Sequence, residues 1–282
     1  MFTLIAQNKY GEQLELTHNN AYVITNIDGL DPPDSVINTT RNASADGSVF
    51  NSSYVDNRTI AITLSINGPA EANRINLYKY FKAKYDVRIY YQNATRNVYI
   101  DGYVQNFSIE LFEKKQIAQI VIFCPNPFFN GNIDNVINFE SIIDMFEFPF
   151  SIPEAGIEFS VLETENETDV INSGDVETGV LITLRANGTV VNPVIYNSDT
   201  GEYFKLNIIM SDGDIITINT KKKEKSVTLT SGGTDSNIIG NMIFGSTWFQ
   251  LLPGDNMFIV SADTMPENLY CTFIIVNQFE GV

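Results

Sequence analysis

A regular alternation of apolar and polar residues between Arg58 and Ile66 places the strongest constraint on the fold of this chain. Apolar side chains stand at every second position, at Ile60, Ile62, Leu64 and Ile66. Successive side chains of a β-strand point to opposite faces, so this period predicts a strand with one buried face. Shorter runs of the same kind predict further strands at Tyr22–Ile27, Val87–Tyr91 and Ile117–Phe123.

One helix is predicted in the first half of the chain, starting at Gly68-Pro69. Proline is favoured at the first helical position because the missing N–H is not needed there. Glu71 would place a negative charge in the first turn, where it suits the helix dipole. Apolar residues then follow at helical spacing and predict an amphipathic helix that lies on a sheet. These residues are Leu77, Tyr78, Phe81 and Tyr85.

The second half of the chain is predicted to be a series of short strands joined by turns. Val180–Leu184 leads through Asn187-Gly188 into Thr189–Val191, and Asn-Gly is the preferred centre of a two-residue hairpin turn. Further turns are predicted at Asn197–Gly201 and Ser211–Asp214. Many short strands at a spacing of about 8–12 residues are typical of a β-sandwich.

The charge distribution predicts two domains. The chain has 34 acidic and 17 basic side chains, a formal charge of −17. Residues 1–130 hold 12 acidic and 11 basic side chains, whereas residues 131–282 hold 22 and 6. A difference in net charge of this size indicates that the two halves of the chain have different surroundings. We therefore predict one domain over residues 1–130, a linker or arm over 131–152, and a second domain over 153–282. The segment 133–152 could form a short strand or a docking arm.

The same composition argues against several classes of protein. Strong net acidity disfavours specific nucleic-acid binding and anionic membrane surfaces, because both need basic patches. No apolar run approaches the ~18 residues that cross a bilayer, and the first residues lack the features of a signal peptide. We therefore expect no membrane partner and synthesis in a cytoplasm. Cys124 and Cys271 are predicted to be buried free thiols rather than a disulfide.

Catalytic chemistry has little support in the sequence. His18 is the single histidine and stands in a polar context typical of a surface loop. The carboxylates Asp212 and Asp214 could serve a glycosidase, but spacing cannot supply the required geometry. Asn197–Glu202 and Ser211–Asp214 offer oxygen ligands for calcium, yet ordinary hairpin turns explain them equally well. We predict no enzymatic activity, no cofactor and no metal site.

Aromatic residues and one lysine run are the remaining binding candidates. Trp248 could stack on a carbohydrate, although a lone tryptophan is more often part of a core. The segment Lys221–Lys225 is predicted to form a solvated hairpin turn, with a docking patch for an acidic neighbour as the alternative. Four tyrosines near predicted hairpins could stack on sugars or form a subunit interface, with cross-strand packing as the default. They are Tyr90, Tyr91, Tyr99 and Tyr103.

Several motifs, each weak alone, follow one another in a characteristic order. The segments Ile27–Pro33 and Asn42–Gly47 precede the alternating strand, the helix and a tyrosine-rich hairpin. The first half closes on a Pro-Phe-Phe-type ending formed by Cys124, Pro125, Pro127, Phe128 and Phe129. Over nearly the whole chain, with Phe244–Asn256 in the second half, this order resembles the distal tail proteins of long-tailed phages and related prophage tails of Gram-positive bacteria.

The resemblance implies a mainly β fold and a structural role. The expected architecture is an N-terminal β-sandwich with one α-helix and a hairpin, followed by a C-terminal galectin-like or carbohydrate-module-like β-sandwich. The N-terminal domains would form a hexameric ring that joins the tail tube to the tail-tip or baseplate proteins and allows DNA to pass. This places the protein at the virion tail tip, assembled in the cytoplasm of the bacterial host.

The resemblance also implies the partners. These are further copies of the chain, the tail tube protein, and a tail-tip hub or tail-associated lysin protein. A receptor-binding protein or a cell-wall sugar are candidate partners of the C-terminal domain. The alternative function is therefore a carbohydrate-binding adhesion module that recognises host cell-wall polysaccharide.

Overall fold

The computed structural model describes residues 2–41, 43, 46–113, 115–139 and 167–282, and the chain divides into two compact units. Unit 1 comprises Met1–Ile133 together with Gln278–Val282, and unit 2 comprises Asp134–Asn277. The described residues form 23 strands and one α-helix, so the predicted mainly β fold is confirmed. In these residues no helix combines the length and the apolar character needed to span a membrane.

Unit 1 is built from eleven of the described strands and the helix. Its strands are β1 (Thr3–Asn8), β2 (Gln13–Glu15), β3 (Tyr22–Asp28), β4 (Ser35–Thr40), β5 (Val49–Val55), β6 (Arg58–Ile66), β7 (Asp86–Gln92), β8 (Asn97–Ile109), β9 (Gln116–Cys124), β10 (Phe129–Gly131) and, from the other end of the chain, β23 (Gln278–Phe279). The helix α1 (Ala70–Tyr80) connects β6 to β7. One sheet has the order β2-β1-β7-β8-β9-β6-β3 and is extended by β10 and β23, whereas β4 and β5 form a sheet of their own.

The alternating strand β6 supplies the centre of the core of unit 1. Its residues Ile60, Ile62 and Leu64 are fully buried, as predicted. They belong to one buried cluster with residues from other strands of the sheet, among them Leu4, Ile89, Ile100 and Ile120. A bulge in β8 between Val104 and Asn106 lets this long strand pair with β7 in its first half and with β9 in its second. A single sheet therefore folds over a single core.

Helix α1 is shorter than the sequence predicts. Pro69 is its N-cap rather than its first helical residue, and the helix ends at Tyr80. Of the predicted apolar face, only Leu77 and Phe81 are buried, while Tyr78 is 40% exposed. Tyr85 lies beyond the helix and is tied to β8 by backbone hydrogen bonds. The N–H of Val104 donates to the carbonyl of Tyr85, and the N–H of Lys84 donates to the carbonyl of Val104. Tyr85 therefore belongs to the entrance of the next strand.

Unit 2 contains twelve described strands. They are β11 (Asn135–Phe139), β12 (Thr168–Asp169), β13 (Thr178–Ala186), β14 (Val190–Asn197), β15 (Tyr203–Lys205), β16 (Ile209–Met210), β17 (Ile215–Asn219), β18 (Ser226–Ser231), β19 (Thr234–Asn237), β20 (Gln250–Leu251), β21 (Met257–Thr264) and β22 (Leu269–Ile275). Two short 3-10 helices cover Ile239–Asn241 and Pro266–Asn268. Strand β11 lies within the segment predicted as a linker or arm, 131–152. The rest of that segment, from residue 140 onward, lies outside the described residues.

Two sheets enclose the core of unit 2. The first has the order β11-β22-β13-β17-β18-β19 with β20 paired to β13, and the second has the order β12-β21-β14-β15 with β16 paired to β14. Ile182 and Phe273 from the first sheet and Ile195 and Phe258 from the second belong to one buried cluster. The rings of Phe258 and Phe273 meet with centroids 5.1 Å apart. The predicted β-sandwich is therefore confirmed.

The prediction of a hairpin at Asn187-Gly188 is wrong. The strand before it, β13, pairs with β22 and β17, whereas the strand after it, β14, pairs with β21 and β15. The turn is a crossover between sheets, and the Asn187 N–H donates to the carbonyl of Asn268 at 2.9 Å. Ser211–Asp214 also joins strands of different sheets, while Asn197–Gly201 makes the predicted β14–β15 hairpin. Turn residues fix where the chain reverses, but burial decides which strands pair.

Candidate assembly surface

An exposed hairpin made of β4 and β5 is the first element of the candidate surface. We call the residues Ser35–Thr40 and Val49–Val55 the arm. Twelve of its thirteen residues are exposed, and among the described strands its two strands pair only with each other. A two-stranded hairpin is at best marginally stable alone in water. The arm therefore has the character of a docking element rather than of a core element.

The arm carries apolar side chains and no charged ones. Ile37, Phe50 and Tyr54 are 60%, 61% and 53% exposed. Neither strand contains Asp, Glu, Lys or Arg. Asn38 Nδ2 donates a hydrogen bond to Ser52 Oγ at 3.1 Å, which links the two strands on the exposed surface. Contiguous exposed apolar side chains on a soluble protein mark an interaction site.

Arg58, the first residue of β6, holds the root of the arm. It is 4% exposed. Its Nη1 donates to the carbonyl oxygens of Gly29 and Asp31, each at 2.7 Å, and both residues lie between β3 and β4. Its Nη2 donates to the carbonyl oxygen of Glu280 in the C-terminal segment of unit 1. Hydrogen bonds from an ionised donor are the strong ones, so this guanidinium fixes the arm root to the C-terminal segment.

The predicted family motif after β9 converges on the same guanidinium. Arg58 Nε donates to the carbonyl oxygen of Pro127 at 2.6 Å. The guanidinium carbon lies 4.7 Å from the centroid of the Phe129 ring, which is buried. Cys124 is buried and stands opposite Arg58 in the ladder between β6 and β9. The remaining motif residues lie nearer the surface, Pro125 exposed and Phe128 half-buried.

Sequence reasoning identified Arg58 only as the start of a strand. The available signal was its register: Arg58 lies two residues before Ile60 and so shares the buried face of β6. A buried charge requires partners, and the carbonyl groups described above are those partners. Gly29 is needed at this site because it has a φ of +87° and an added β-carbon would lie 2.1 Å from the carbonyl oxygen of Thr59.

The two cysteines are buried free thiols in different units, as predicted. Burial raises the pKa of Cys124 to about 12, and the nearby positive charge of Arg58 offsets part of this rise. Burial also raises the pKa of Cys271 well above its ordinary value. Because the thiolate is the nucleophilic form, neither side chain is suited to covalent chemistry in the folded protein.

Trp248, the sugar-stacking candidate, packs at the border of the core of unit 2. Its ring lies edge-to-face on Phe204, with centroids 5.3 Å apart. The ammonium of Lys225 lies 5.5 Å from the centre of the Trp248 ring. The lysine run forms the β17–β18 turn, as predicted, and Lys222 makes an ion pair with Glu177. A sugar could reach the Trp248 ring only in competition with these neighbours.

Two carboxylates of the candidate calcium turns accept hydrogen bonds from backbone N–H groups, and the single histidine is exposed. His18 is exposed in a turn with a φ of 49°. The carboxylate of Asp199 accepts from the N–H of Met257 at 2.7 Å, and that of Asp214 accepts from the N–H of Ser211 at 2.8 Å. These carboxylates therefore stabilise turns. Within the part of the chain that the structure describes, no three His, Cys, Asp or Glu side chains group as a metal site.

Three of the four candidate tyrosines of unit 1 pack against aromatic rings of neighbouring chain segments. Tyr90 on β7 and Tyr99 on β8 have ring centroids 6.0 Å apart, and Tyr90 Oη donates to Gln7 Oε1 at 2.9 Å. Tyr91 stacks on Phe2 at 5.5 Å. A fourth residue, Tyr103, is 50% exposed. The default interpretation of cross-strand packing fits Tyr90, Tyr91 and Tyr99.

Comparison with known families and structures identifies similar proteins. Residues 173–272, most of the described part of unit 2, match the family described as the siphovirus-type tail component, C-terminal domain. No curated protein matches the chain. The crystal structure of SPP1 Dit, described as a paradigm of the hub adsorption apparatus in phages that infect Gram-positive bacteria, has a TM-score of 0.71 at 13% identity and covers 99% of both chains.

Two structures of a phage baseplate share the same fold. The phage P2 baseplate in its activated conformation with calcium has a TM-score of 0.56 at 15% identity over 100% of both chains. The corresponding structure with strontium has a TM-score of 0.51 at 12% identity over 98% of both chains. At these identities the likeness is one of fold, and it extends over both units. The family match and the shared fold together confirm the predicted resemblance to distal tail proteins.

Proposed function

We propose that this chain, whose residues 173–272 match the siphovirus-type tail components, is a structural hub of a phage tail tip. In this role it joins the tail tube to the tail-tip or baseplate proteins and surrounds a passage for DNA. The main support is the fold that the whole chain shares with SPP1 Dit. The hub lies at the tail tip of the virion and is assembled in the cytoplasm of the bacterial host.

The division of charge supports a ring formed by unit 1. Unit 1 holds 13 acidic and 11 basic side chains, a formal charge of −2, whereas unit 2 holds 21 and 6, a charge of −15. Copies of a nearly neutral unit can approach one another with little repulsion, while a strongly acidic unit is favoured in solvent. In our proposal, six copies of unit 1 form the ring, and unit 2 remains in contact with solvent.

The occupant of the arm in this proposal is a second copy of the chain. The arm is uncharged and exposes apolar side chains such as Ile37 and Phe50, so its docking removes no charged group from water and adds no repulsion between acidic chains. A contact between the arm of one copy and another surface of the next is heterologous, and such contacts form a ring when the rotation between successive copies closes. Arg58 supports this contact by fixing the arm root.

The proposed hub is structural and has no enzymatic activity. The support is the chemistry of the described candidates: neutral buried thiols, an exposed single histidine, and carboxylates that stabilise turns. The proposed partners besides further copies are the tail tube protein and a tail-tip hub or tail-associated lysin protein. A receptor-binding protein is the proposed partner of unit 2. None of these roles requires a cofactor or a metal.

The mass of the purified full-length chain in solution tests the hub. A hexamer of a 31.6 kDa chain has a mass of about 190 kDa. We expect this species at micromolar concentration by light scattering, and closed rings with a central opening in electron micrographs. A second sample would contain the tail tube protein. A monomer at every concentration, with no rings in either sample, would contradict the proposal.

A further inference from the structure

The outer face of the second sheet of unit 2 presents aromatic side chains. Side chains alternate between the core and the outer face along a strand. On β15, Phe204 is buried in the core, so Tyr203 and Lys205 point outward. On β14, Tyr196 is paired with Tyr203 and is 39% exposed. The residues that reach solvent here are therefore set by the pairing of β14 with β15.

Three aromatic residues, Tyr196, Tyr203 and Phe244, form what we call the aromatic row. The rings of Tyr196 and Tyr203 have centroids 6.2 Å apart. Tyr203 Oη donates to the carbonyl oxygen of Phe244 at 3.1 Å, which places Phe244 beside Tyr203. Phe244 is 100% exposed. A ligand that covered this ring would recover about 1.5–3 kcal/mol of burial free energy.

Backbone hydrogen bonds hold the turn that carries Phe244. The N–H of Ile243 donates to the carbonyl of Lys205 at 3.0 Å, and the N–H of Thr247 donates to that of Tyr203 at 2.8 Å. Gly245 has a φ of +92°, and an added β-carbon there would lie 2.5 Å from Tyr203 Oη. The turn is therefore attached to β15 and holds the backbone of Phe244 next to Tyr203. A fixed backbone lowers the entropic cost of binding a ligand at these aromatic residues.

Polar side chains adjoin the aromatic row. Lys205 Nζ lies 2.5 Å from Asp263 Oδ1, and Asn192 Nδ2 donates to Asp263 Oδ2 at 3.0 Å. We call Lys205, Asp263 and Asn192 the polar triad. The hydrogen bond from Lys205 lowers the pKa of Asp263, and the same bond raises the pKa of Lys205. Both groups therefore stay charged at neutral pH and can form hydrogen bonds with hydroxyl groups.

We propose that the aromatic row and the polar triad form a binding site for a neutral glycan chain. The apolar C–H faces of sugar rings would pack on Tyr196 and Phe244, and sugar hydroxyls would bond to the polar triad. The charge of unit 2, −15, disfavours anionic polymers and is indifferent to neutral ones. The Lys205–Asp263 ion pair beside the row favours a hydroxyl-rich ligand over a protein, because the cores of protein interfaces are depleted of charged residues.

This site is distinct from the sugar contact predicted at Trp248. Trp248 packs on Phe204, which points into the core, so it lies on the other face of β15 from Tyr203. The two hypotheses therefore separate by mutation. The inference concerns unit 2 only and does not depend on ring formation, so its failure would leave the hub proposal untouched.

Binding to a printed array of neutral and anionic bacterial glycans tests the site with the full-length chain. We expect neutral glycans to bind, and the best of them is then titrated by calorimetry. Tyr196→Ala and Phe244→Ala should each weaken binding at least about tenfold, and Asp263→Asn should weaken it because the ion pair is lost. Phe244 is fully exposed, so its replacement should not impair folding, which thermal unfolding verifies.

Matched controls lie elsewhere in unit 2. Tyr270 on β22 is 41% exposed, close to Tyr196, and Tyr270→Ala should leave binding unchanged. Trp248→Phe should also leave it unchanged. Absence of binding to every neutral glycan would overturn the proposal. So would a preference for anionic glycans, binding that is insensitive to Tyr196→Ala and Phe244→Ala, or competition at the row by a tail protein in place of a glycan.

Discussion

The guanidinium carbon of Arg58 lies 4.7 Å from the centroid of the Phe129 ring, within the core of unit 1. Cation–π contact of this kind is most favourable where water is excluded. The same guanidinium donates to four carbonyl oxygens, those of Gly29, Asp31, Pro127 and Glu280. One side chain thus joins the arm root, the end of β9 and the C-terminal segment of the chain.

Replacing Arg58 with methionine should strongly destabilise unit 1. Methionine retains much of the apolar volume but leaves four carbonyl groups without their donor, and each unsatisfied buried group costs about 1–3 kcal/mol. Because water can reach some of them, we expect a total loss of about 3 kcal/mol in the free energy of unfolding, measured by urea denaturation. The control is Arg88→Met, which removes the half-exposed pair with Asp101 and should cost no more than about 1 kcal/mol. Equal losses would show that the Arg58 network is not important for stability.

Alanine at Gly29 should be much more destabilising than alanine at Gly47. The two glycines have nearly the same backbone, with φ of +87° and +89°, but differ in surroundings. At Gly29 the new β-carbon would lie 2.1 Å from the backbone oxygen of Thr59, whereas at Gly47 no atom of a non-adjacent residue among those that the structure describes lies within 4 Å. We expect about 1–2 kcal/mol for Gly47→Ala from backbone strain alone and at least about 2 kcal/mol more for Gly29→Ala. Similar unfolding midpoints for the two variants would contradict this account of the arm root.

A charge in the arm should prevent assembly without unfolding the chain. Ile37 and Phe50 are both exposed by about 60%, so Ile37→Asp or Phe50→Asp should change stability by no more than about 0.5 kcal/mol. In the ring the same carboxylate would be buried without a partner, at a cost of several kcal/mol. Light scattering should therefore report monomers. Ile209→Asp in unit 2, at a residue that is 66% exposed, is the control and should still form rings. Rings formed by Phe50→Asp would exclude the arm from the contact.

Alkaline pH should destabilise unit 1 through Cys124. The pKa of this thiol is about 12 in the folded chain, raised by burial from 9.0. The unfolded chain therefore loses the proton first, and stability that is present below about pH 9 decreases as the pH rises toward 12. Between about pH 8 and about pH 10 the expected contribution is a loss of about 1.4 kcal/mol. Cys124→Ala lacks this contribution, so its free energy of unfolding should fall less over the same interval. Parallel pH profiles would count against the burial of Cys124.

Local patterns predicted the strands well and their partners less well. The buried face of β6 and the β14–β15 turn follow from side-chain period and turn residues, both of which are properties of a few neighbouring residues. The turn at Asn187-Gly188 was also located, but its strands joined different sheets. The same limit applies to the predicted apolar face of helix α1, because Tyr85 lies outside the helix and its carbonyl accepts a hydrogen bond from Val104 in a distant strand.

The candidate surfaces were the least accessible to sequence reasoning. The motif from Cys124 to Phe129 was identified, whereas Arg58, its partner, was not. The sequence indicates Trp248 as a possible sugar contact, whereas the glycan site that we propose uses Tyr196 and Phe244, which the sequence does not indicate as sugar contacts. Rarity drew attention to the single tryptophan. Exposure, which matters for binding, depends on which face of a strand meets the core.

The sequence alone determined that this protein is mainly β, that its two halves differ in charge, and where many of its strands run. These properties arise from residues close together in the chain, where alternation and composition act directly. Only the tertiary structure decided that Gln278–Val282 returns to unit 1 and that Glu280 bonds to Arg58, 222 residues away. It also decided that β13 and β14 lie in different sheets. Such pairings depend on the total apolar area that distant parts of the chain bury together, and a pattern of a few neighbouring residues does not specify that total.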